Sequence, residues 1–479
     1  METRPNILFI LSDQHSPHVI GCGGNNLIST PRLDRLASEG IKFNNMYSQN
    51  PLCVPSRASL ITGQYSKTTG IYDNMHIMQA NITTLPRTLS ENGYKTCLIG
   101  KSHFNGEQYH GYQQRPYGDL YGQGHQPDPG REEKYGINGL GDVLGNSGPS
   151  EMPIELTQTE ICVAEASKWM QLHKSGGSEQ PFMLSVHFDK PHFPIKPPKK
   201  YFDKYKGKLS LPIVNENLTE STIPFIKEGI AHNETGHHYG KDYDIQLNAL
   251  ESYYGCVEWV DDAVGRIVDV LDYLGYSEDT IVIYSSDHGE MGGEHGTWQK
   301  TLFYEASARV PAIIRWPGKI KPGIETDEIT GLLDMFPTIC DAARIDVPDS
   351  CEGLSLISLI QNDEKPYREG VFSESAVLRA TQIAGCMYRT GKWKYCYYID
   401  GSEELYNLET DPGEINNLES SDMFKKELLE FRRITMEFWK PDEYLNRLAR
   451  TPIMSKEKHF YEFSNQFVTG DGRILDGRP

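Results

Sequence analysis

The run Cys53-Val54-Pro55-Ser56-Arg57-Ala58-Ser59-Leu60-Ile61-Thr62-Gly63 sets a thiol just ahead of a proline, with an arginine one helical turn on. Proline is tolerated at the first helical position, where its missing N–H would go unpaired in any case. The spacing predicts a helix opening at Pro55, with Cys53 just before it. That is the positive end of the helix dipole, a natural place for an anion. On its own, such a cysteine reads equally as a buried apolar residue before an ordinary helix.

Four apolar, strand-like runs lead into further polar residues. Ile7–Leu11 runs into Asp13-Gln14, and Thr96–Ile99 into Gly100-Lys101-Ser102-His103. Phe182–Val186 leads to Lys190-Pro191-His192, and Thr280–Tyr284 to Asp287-His288. Taken singly, each has an ordinary reading. Asp13 and Asp287 suit turns or caps, Lys101 a solvated charge, His103 a capping group and His192 a rigid turn. Ligands of open α/β sheets bind at the carboxyl ends of the strands, so the four loops are expected to meet. The oxygens of Asp13 and Asp287 suit a hard divalent cation such as Ca²⁺. His288 admits Mg²⁺ or Mn²⁺ as well.

These loops need a scaffold. Continuous apolar runs of strand length indicate strands buried on both faces. Thr30-Pro31 opens a helix carrying Leu33, Leu36 and Ala37, stopping at Gly40. Ile245 to Leu274 has apolar residues at helical spacing. Strand and helix alternate, predicting an α/β domain with a mostly parallel sheet. The C-terminal third changes character. Gly370–Ser373 and Lys392–Tyr398 read as strands of an antiparallel sheet, and a helix from Ser421-Asp422 is expected to bury Leu428, Leu429, Phe431 and Phe438. The boundary is placed near residue 365, giving domains 1–365 and 366–479. Irregular stretches at 105–150 and 196–243 read as functional loops or surface excursions.

The chain has 479 residues and a formal net charge of −19. That balance argues against nucleic-acid and membrane-surface partners, but not against a small anion held by local cations. Nine dispersed cysteines without a Cys-x-x-Cys pair fit a reduced compartment better than a disulfide scaffold. No apolar run reaches the ~20 residues that span a bilayer. A complete sequence of this kind predicts a cytoplasmic protein, and one with its leader removed a periplasmic protein. His232, His237 and His238 lack a carboxylate at helical spacing and read as loop residues. Gly21-Cys22-Gly23-Gly24 lacks the Gly-Lys-Ser/Thr of a P-loop.

Cys53-x-Pro55-Ser56-Arg57 followed by Leu60-x-Thr62-Gly63 resembles the sulfatase signature, in which the cysteine is oxidised to formylglycine. Asp13-Gln14 resembles the family's first metal pair, with an amide where many members carry a second Asp. Gly100-Lys101-Ser102-His103 resembles Gly-Lys-x-His, and Pro191-His192-Phe193-Pro194 resembles Pro-His-x-Pro. Asp287-His288-Gly289 with Gly293–Lys300 is similar to the second metal motif and its trailing lysine. Phe104–Tyr112 and Tyr72-Asp73-Asn74 look like the choline sulfatase branch. Choline sulfatases and phosphonate monoester hydrolases of the same superfamily both carry Asp-Gln at this point, so the pair does not separate them. Glu404–Pro412 resembles a stretch near the end of many sulfatases.

The resemblance implies an alkaline phosphatase-like sheet sandwiched by helices, with a smaller C-terminal α+β domain. It implies metal ligation by Asp13, Gln14, Cys53, Asp287 and His288, and substrate contacts from Asn74, Lys101, His192 and Lys300. Arg57, Lys101 and Lys300 would neutralise sulfuryl oxygens, His192 would protonate the leaving oxygen, and His103 would take a proton in the second step. The expected reaction is hydrolysis of a sulfated sugar, an oligosaccharide fragment or choline O-sulfate; the alternative is a phosphonate monoester or phosphodiester. The implied partners are a small sulfated substrate and a formylglycine-generating or anaerobic sulfatase-maturating enzyme, with homo-oligomerisation left open.

Overall fold

A computed structural model describes residues 4–74, 76–104, 108–118, 143–212, 242–361, 367–377, 383–448, 466–468 and 474–476. The boundary expected at 365, the three-histidine loop and much of the two irregular stretches lie outside these residues.

The main sheet has eight strands. They are β1 (Asn6–Asp13), β2 (Ile41–Tyr47), β3 (Lys95–Gly100), β4 (Gln114–Tyr117), β5 (Phe182–Pro191), β6 (Thr280–Ser286), β7 (Arg309–Arg315) and β8 (Ile324–Gly331). Their order is β4-β3-β5-β1-β6-β7-β2-β8. β7 runs against both of its neighbours, and the other pairings are parallel. The expected mostly parallel sheet is therefore present. β1 lies at its centre, with Ile7 opposite Met183 of β5 and Ile281 of β6.

Alternation along β1 divides the interior in two, because successive side chains leave opposite faces of a strand. Ile7, Phe9 and Leu11 pack with Val54, Ala58 and Ile61 of helix Cys53–Thr62, and with Phe336 of helix Met335–Ala343. Leu8 and Ile10 pack against Val260, Val264 and Leu271 of helix Tyr243–Tyr273, and against Met170 of helix Gln158–Ser175. Each such buried aliphatic side chain contributes roughly 1.5–3 kcal/mol of apolar transfer. Helix Pro31–Ser38 forms as expected, with Leu33, Leu36 and Ala37 buried. Asp261 of the long helix accepts from the backbone N–H of Arg32 and Leu33 at its start.

Helix Cys53–Thr62 begins two residues before Pro55. Its first backbone bond runs from Ser56 N to Leu52 O at 2.9 Å. Pro55 thus lacks only an N–H that has no partner inside a helix. Cys53 belongs to the first turn rather than preceding it. Gly63 ends the helix at φ 67°, and an added Cβ there would lie 2.5 Å from Cys351 Sγ and 2.8 Å from Phe336. Position 63 is closed to larger residues on both counts.

A second, antiparallel sheet has the order β12-β11-β10-β9, formed by β9 (Gly370–Val377), β10 (Ile383–Thr390), β11 (Trp393–Tyr398) and β12 (Glu403–Asn407). Met387, Cys396 and Tyr398 pack on Met291, Leu302 and Phe303 from the main domain. A buried ammonium crosses this seam. Lys394 Nζ lies 2.7 Å from both Glu305 and Glu414 and donates to the Phe303 carbonyl at 2.8 Å. Helix Lys425–Trp439 buries Leu428, Thr435 and Trp439, while Leu429, expected inside, is 50% exposed. Leu429 follows the inward-facing Leu428 by one position and so points elsewhere on the helix. Among the described residues no helix is long and apolar enough to cross a membrane.

Candidate active site

β3, β5, β1 and β6 are consecutive neighbours in the sheet. Their carboxyl ends deliver Lys101, His192, Asp13-Gln14 and Asp287-His288 to one place. Backbone bonds register the ends: Lys101 N donates to His187 O at 2.9 Å and His192 N to Asp13 O at 3.1 Å. Helix Cys53–Thr62 lies across them. The Ser56 hydroxyl donates to the Asp287 carbonyl at 2.5 Å, and Val54 N donates to Asn74 Oδ1 at 3.0 Å. Cys53 is thereby held over the ends of β1 and β6.

The Cys53 sulfur is fully buried, 3.2 Å from Lys300 Nζ and 3.2 Å from His288 Nε2. Burial and the Asp13 carboxylate push its thiol up. Lys300, Lys101 and His288 outweigh them and hold it well below the ordinary thiol range. The position therefore favours an anion, whatever atom carries it.

Asp13 and Asp287 form the floor, both fully buried. Arg57 bridges them. Its Nη2 donates to Asp13 Oδ2 at 2.9 Å, its Nε to Asp287 Oδ2 at 2.8 Å and its Nη1 to the Lys101 carbonyl at 2.7 Å. Lys101 Nζ adds a second cation to Asp13 Oδ2 at 2.7 Å. Burial raises the Asp13 carboxyl, but Lys101 and Arg57 hold it well below the usual range. Asp287 is pushed above that range, first by burial and then by Asp13. Two buried carboxylates this close favour a positive charge between them.

The two histidines are oriented from behind. His288 Nδ1 donates to the Gly289 carbonyl at 3.0 Å, which fixes the ring with Nε2 facing Cys53; burial lowers the imidazole, but Asp287 and Cys53 outweigh it and raise it above its ordinary value. Gly289 allows the close turn this needs, since a Cβ there would stand 1.9 Å from the Ala306 carbonyl oxygen. His192 Nδ1 is likewise 2.8 Å from the Phe193 carbonyl, and its Nε2 is 3.8 Å from Asp13 Oδ1. Burial, Lys300 and Lys101 push His192 down to about 3, so it is a neutral acceptor at pH 7 in this state.

A sulfatase family model matches residues 5–345. The chain belongs to the sulfatase family. A second model, for the C-terminal region of N-sulphoglucosamine sulphohydrolase, matches residues 293–436. The chain is 33% identical over 428 residues to the choline-sulfatase of Rhizobium meliloti, covering 87% of this chain and 82% of that one. It is 28% identical over 549 residues to an N-acetylglucosamine-6-O-sulfatase of Bacteroides thetaiotaomicron, with 99% and 91% covered. Its fold is similar to the phosphonate monoester hydrolase of Agrobacterium radiobacter, with a TM-score of 0.76 at 22% identity, covering 99% and 100% of the two chains. It is also similar to an enzyme solved with its substrate D-glucosamine-2-N,6-O-disulfate, with a TM-score of 0.74 at 24% identity, covering 93% and 99%.

As a sulfatase the protein is a sulfuric ester hydrolase, and members of its family generally use a metal ion and a formylglycine. The donor set fits such an ion. Ligand atoms of Asp13, Cys53, Asp287 and His288 all lie within 4.8 Å of one another. Gln14 stands beside them with Oε1 2.8 Å from Lys300 Nζ.

Two sulfatase residues have contacts other than those expected. Arg57, expected on the sulfuryl oxygens, has each of its three nitrogens on the metal-site carboxylates or the Lys101 carbonyl. Asn74, expected on substrate, turns its Oδ1 to the first turn of the Cys53 helix. His103 is buried at φ 53°, two residues past Lys101. Sequence reading missed Ser56 and Glu290. Ser56 sits inside the Cys53 motif and Glu290 just after Asp287-His288-Gly289, but Asp287 and Gln14, the residues they reach across the site, lie more than 200 positions away and no spacing reveals them.

Proposed function

We propose that the protein hydrolyses a sulfate monoester of a small molecule, a sulfated sugar, an oligosaccharide fragment or choline O-sulfate, after conversion of Cys53 to formylglycine and with a divalent cation, Ca²⁺ first. The observation that carries this is the anion-favouring position of Cys53, where Lys300 and His288 close on one buried atom. Asp13, Gln14, Asp287 and His288 would hold the cation. When bound, the cation polarises oxygen, and a hydrated formylglycine supplies the oxygen nucleophile that a thiol lacks.

The remaining work belongs to side chains. Lys101 and Lys300 meet the sulfuryl oxygens and stabilise the charge that shifts toward the leaving oxygen. Arg57 lowers both carboxylates and holds them in place. His192 is the general acid. It is neutral before substrate arrives, and the negative charge of the ester offsets the push of the same two lysines, so substrate and proton arrive together. His103 takes the proton whose removal lets sulfate go.

Two measurements test the proposal. Tryptic mass spectrometry of the peptide carrying residue 53 should show a loss of about 18 Da relative to cysteine in matured protein. Matured protein should then release free sulfate from a panel of sulfated mono- and disaccharides and choline sulfate. Turnover of phenyl phosphonate in preference to every sulfate ester would replace this reading by the phosphonate one, whose solved hydrolase has a similar fold. A matured protein inert on all of these esters refutes both.

A further inference from the structure

Glu290 follows His288 by two residues and is buried against Gln14. Its Oε1 accepts from the backbone N–H of Gly292 at 2.9 Å and of Gln299 at 2.5 Å. Both partners are obligate donors, so this end of residue 290 must be an oxygen. Its Oε2 accepts from the Gln14 side-chain Nε2. That contact fixes which way the Gln14 amide faces. With Nε2 on Glu290, Oε1 is turned to Lys300 Nζ at 2.8 Å, and the same ammonium lies 3.2 Å from Cys53 Sγ. The Gln14 backbone cannot drift either. It sits at φ 69°, its N–H donates to Asp287 Oδ1 at 3.1 Å, and its carbonyl accepts from the Tyr253 hydroxyl at 2.6 Å.

We propose that Glu290 is a positioning residue for the cation site, and that its carboxylate both turns the Gln14 amide oxygen-first toward Cys53 and requires an amide at position 14. The inference rests on the reading of Asp13, Gln14, Asp287 and His288 as a metal centre. A carboxylate at 14 would set acid against acid in a dry pocket. An amide gives Glu290 the donor it needs and Lys300 the acceptor it needs. Glutamine at 290 would keep its own oxygen on the Gly292 and Gln299 N–H groups, and so turn its NH₂ on the NH₂ of Gln14. Gln14 must then rotate and present nitrogen to Lys300 and to the cation. Exchanging both residues repairs the contact, because a carboxylate at position 14 accepts from the NH₂ of an amide at position 290 and keeps an oxygen toward Lys300.

The test compares wild type, Glu290→Gln, Gln14→Glu and the double exchange, each stripped with chelator. Ca²⁺ and Mn²⁺ affinities are read by titration calorimetry, and metal-free melting by circular dichroism. Glu290→Gln should bind each cation about 10–100-fold more weakly, as loss of a ligand's outer partner does. Gln14→Glu should melt below wild type without metal. The double exchange should recover affinity and melting well beyond the sum of the single losses. Wild-type affinity in Glu290→Gln, or losses that add in the double exchange, overturns the proposal. If either single variant fails to fold, a double exchange that folds and binds supports it, and one no better than the singles overturns it. Wild type that binds neither cation removes the metal reading and this inference with it, whereas normal wild-type binding with an indifferent Glu290→Gln removes this inference alone.

Discussion

Replacing Arg57 separates a scaffold from a substrate clamp. The guanidinium makes three buried bonds, at 2.8 Å to Asp287, 2.9 Å to Asp13 and 2.7 Å to the Lys101 carbonyl. In Arg57→Ala, Asp13 keeps Lys101 at 2.7 Å, so most of the damage falls on Asp287. Asp287 keeps the backbone N–H of Gln14 and His288 on its other oxygen, with the His288 ring 3.6 Å away. Stranding a buried carboxylate in this way costs about 3–5 kcal/mol. Arg57→Lys keeps the charge but loses the fork, and a single ammonium cannot serve both acids. It should recover roughly half of that loss. The assay is urea unfolding of each variant, with chelator and with saturating Ca²⁺. A bound cation supplies part of the missing charge, so the loss should be smaller with Ca²⁺ than with chelator. The reasoning is refuted if Arg57→Ala unfolds within about 1 kcal/mol of wild type while KM for the ester rises steeply. That pattern would put the guanidinium on substrate.

Lys300→Met should lower kcat by about 10²–10³-fold, the usual effect of removing one preorganised charge from the transition state, and an unchanged kcat would exclude Lys300 from the chemistry. His110 is buried and pushed down to about 3, first by burial and then by Arg87 and Arg115. The unfolded chain takes up this proton below about pH 6.5 and the native chain does not, so stability present above that pH is lost as pH falls, by about 2–3 kcal/mol at pH 4.5. His110→Gln should flatten the dependence of melting temperature on pH between 6.5 and 4.5, and an unchanged slope would contradict this. Lys394→Met leaves Glu305 and Glu414 facing each other across the seam between the sheets and should destabilise the protein by about 3–5 kcal/mol in denaturant unfolding; wild-type stability would show that the ammonium is dispensable there.

The strands that carry the site were legible because they are central. β1, β3, β5 and β6 are covered on both faces, and their apolar runs are unbroken in the sequence. β2, β4, β7 and β8 went unread for reasons particular to each. β8, Ile-Glu-Thr-Asp-Glu-Ile-Thr-Gly, is an edge strand with much of its first half exposed, and β7 has Pro311 in its middle. The clustering of Asp13, Lys101, His192 and Asp287 followed from the rule about strand ends, while Cys53 and Lys300 were placed beside them by the resemblance to sulfatase motifs. The aim of individual side chains did not. Position 57 is one turn from Cys53 whether its guanidinium faces a ligand or the two acids, and only the fold decides. The Glu290–Gln14 contact joins residues 276 positions apart, which periodicity cannot reach. Pro55 marked the Cys53 helix but not its first residue, because a proline fits anywhere in the first turn.

Cys53 has no surface at all in the finished fold. The atoms that enclose it come from far apart in the chain, Asp13 early and Lys300 late. A second protein's catalytic pocket cannot close around a side chain so enclosed. If another enzyme rewrites residue 53, the expected time for it is before β6 and the segment behind it have closed over that side chain.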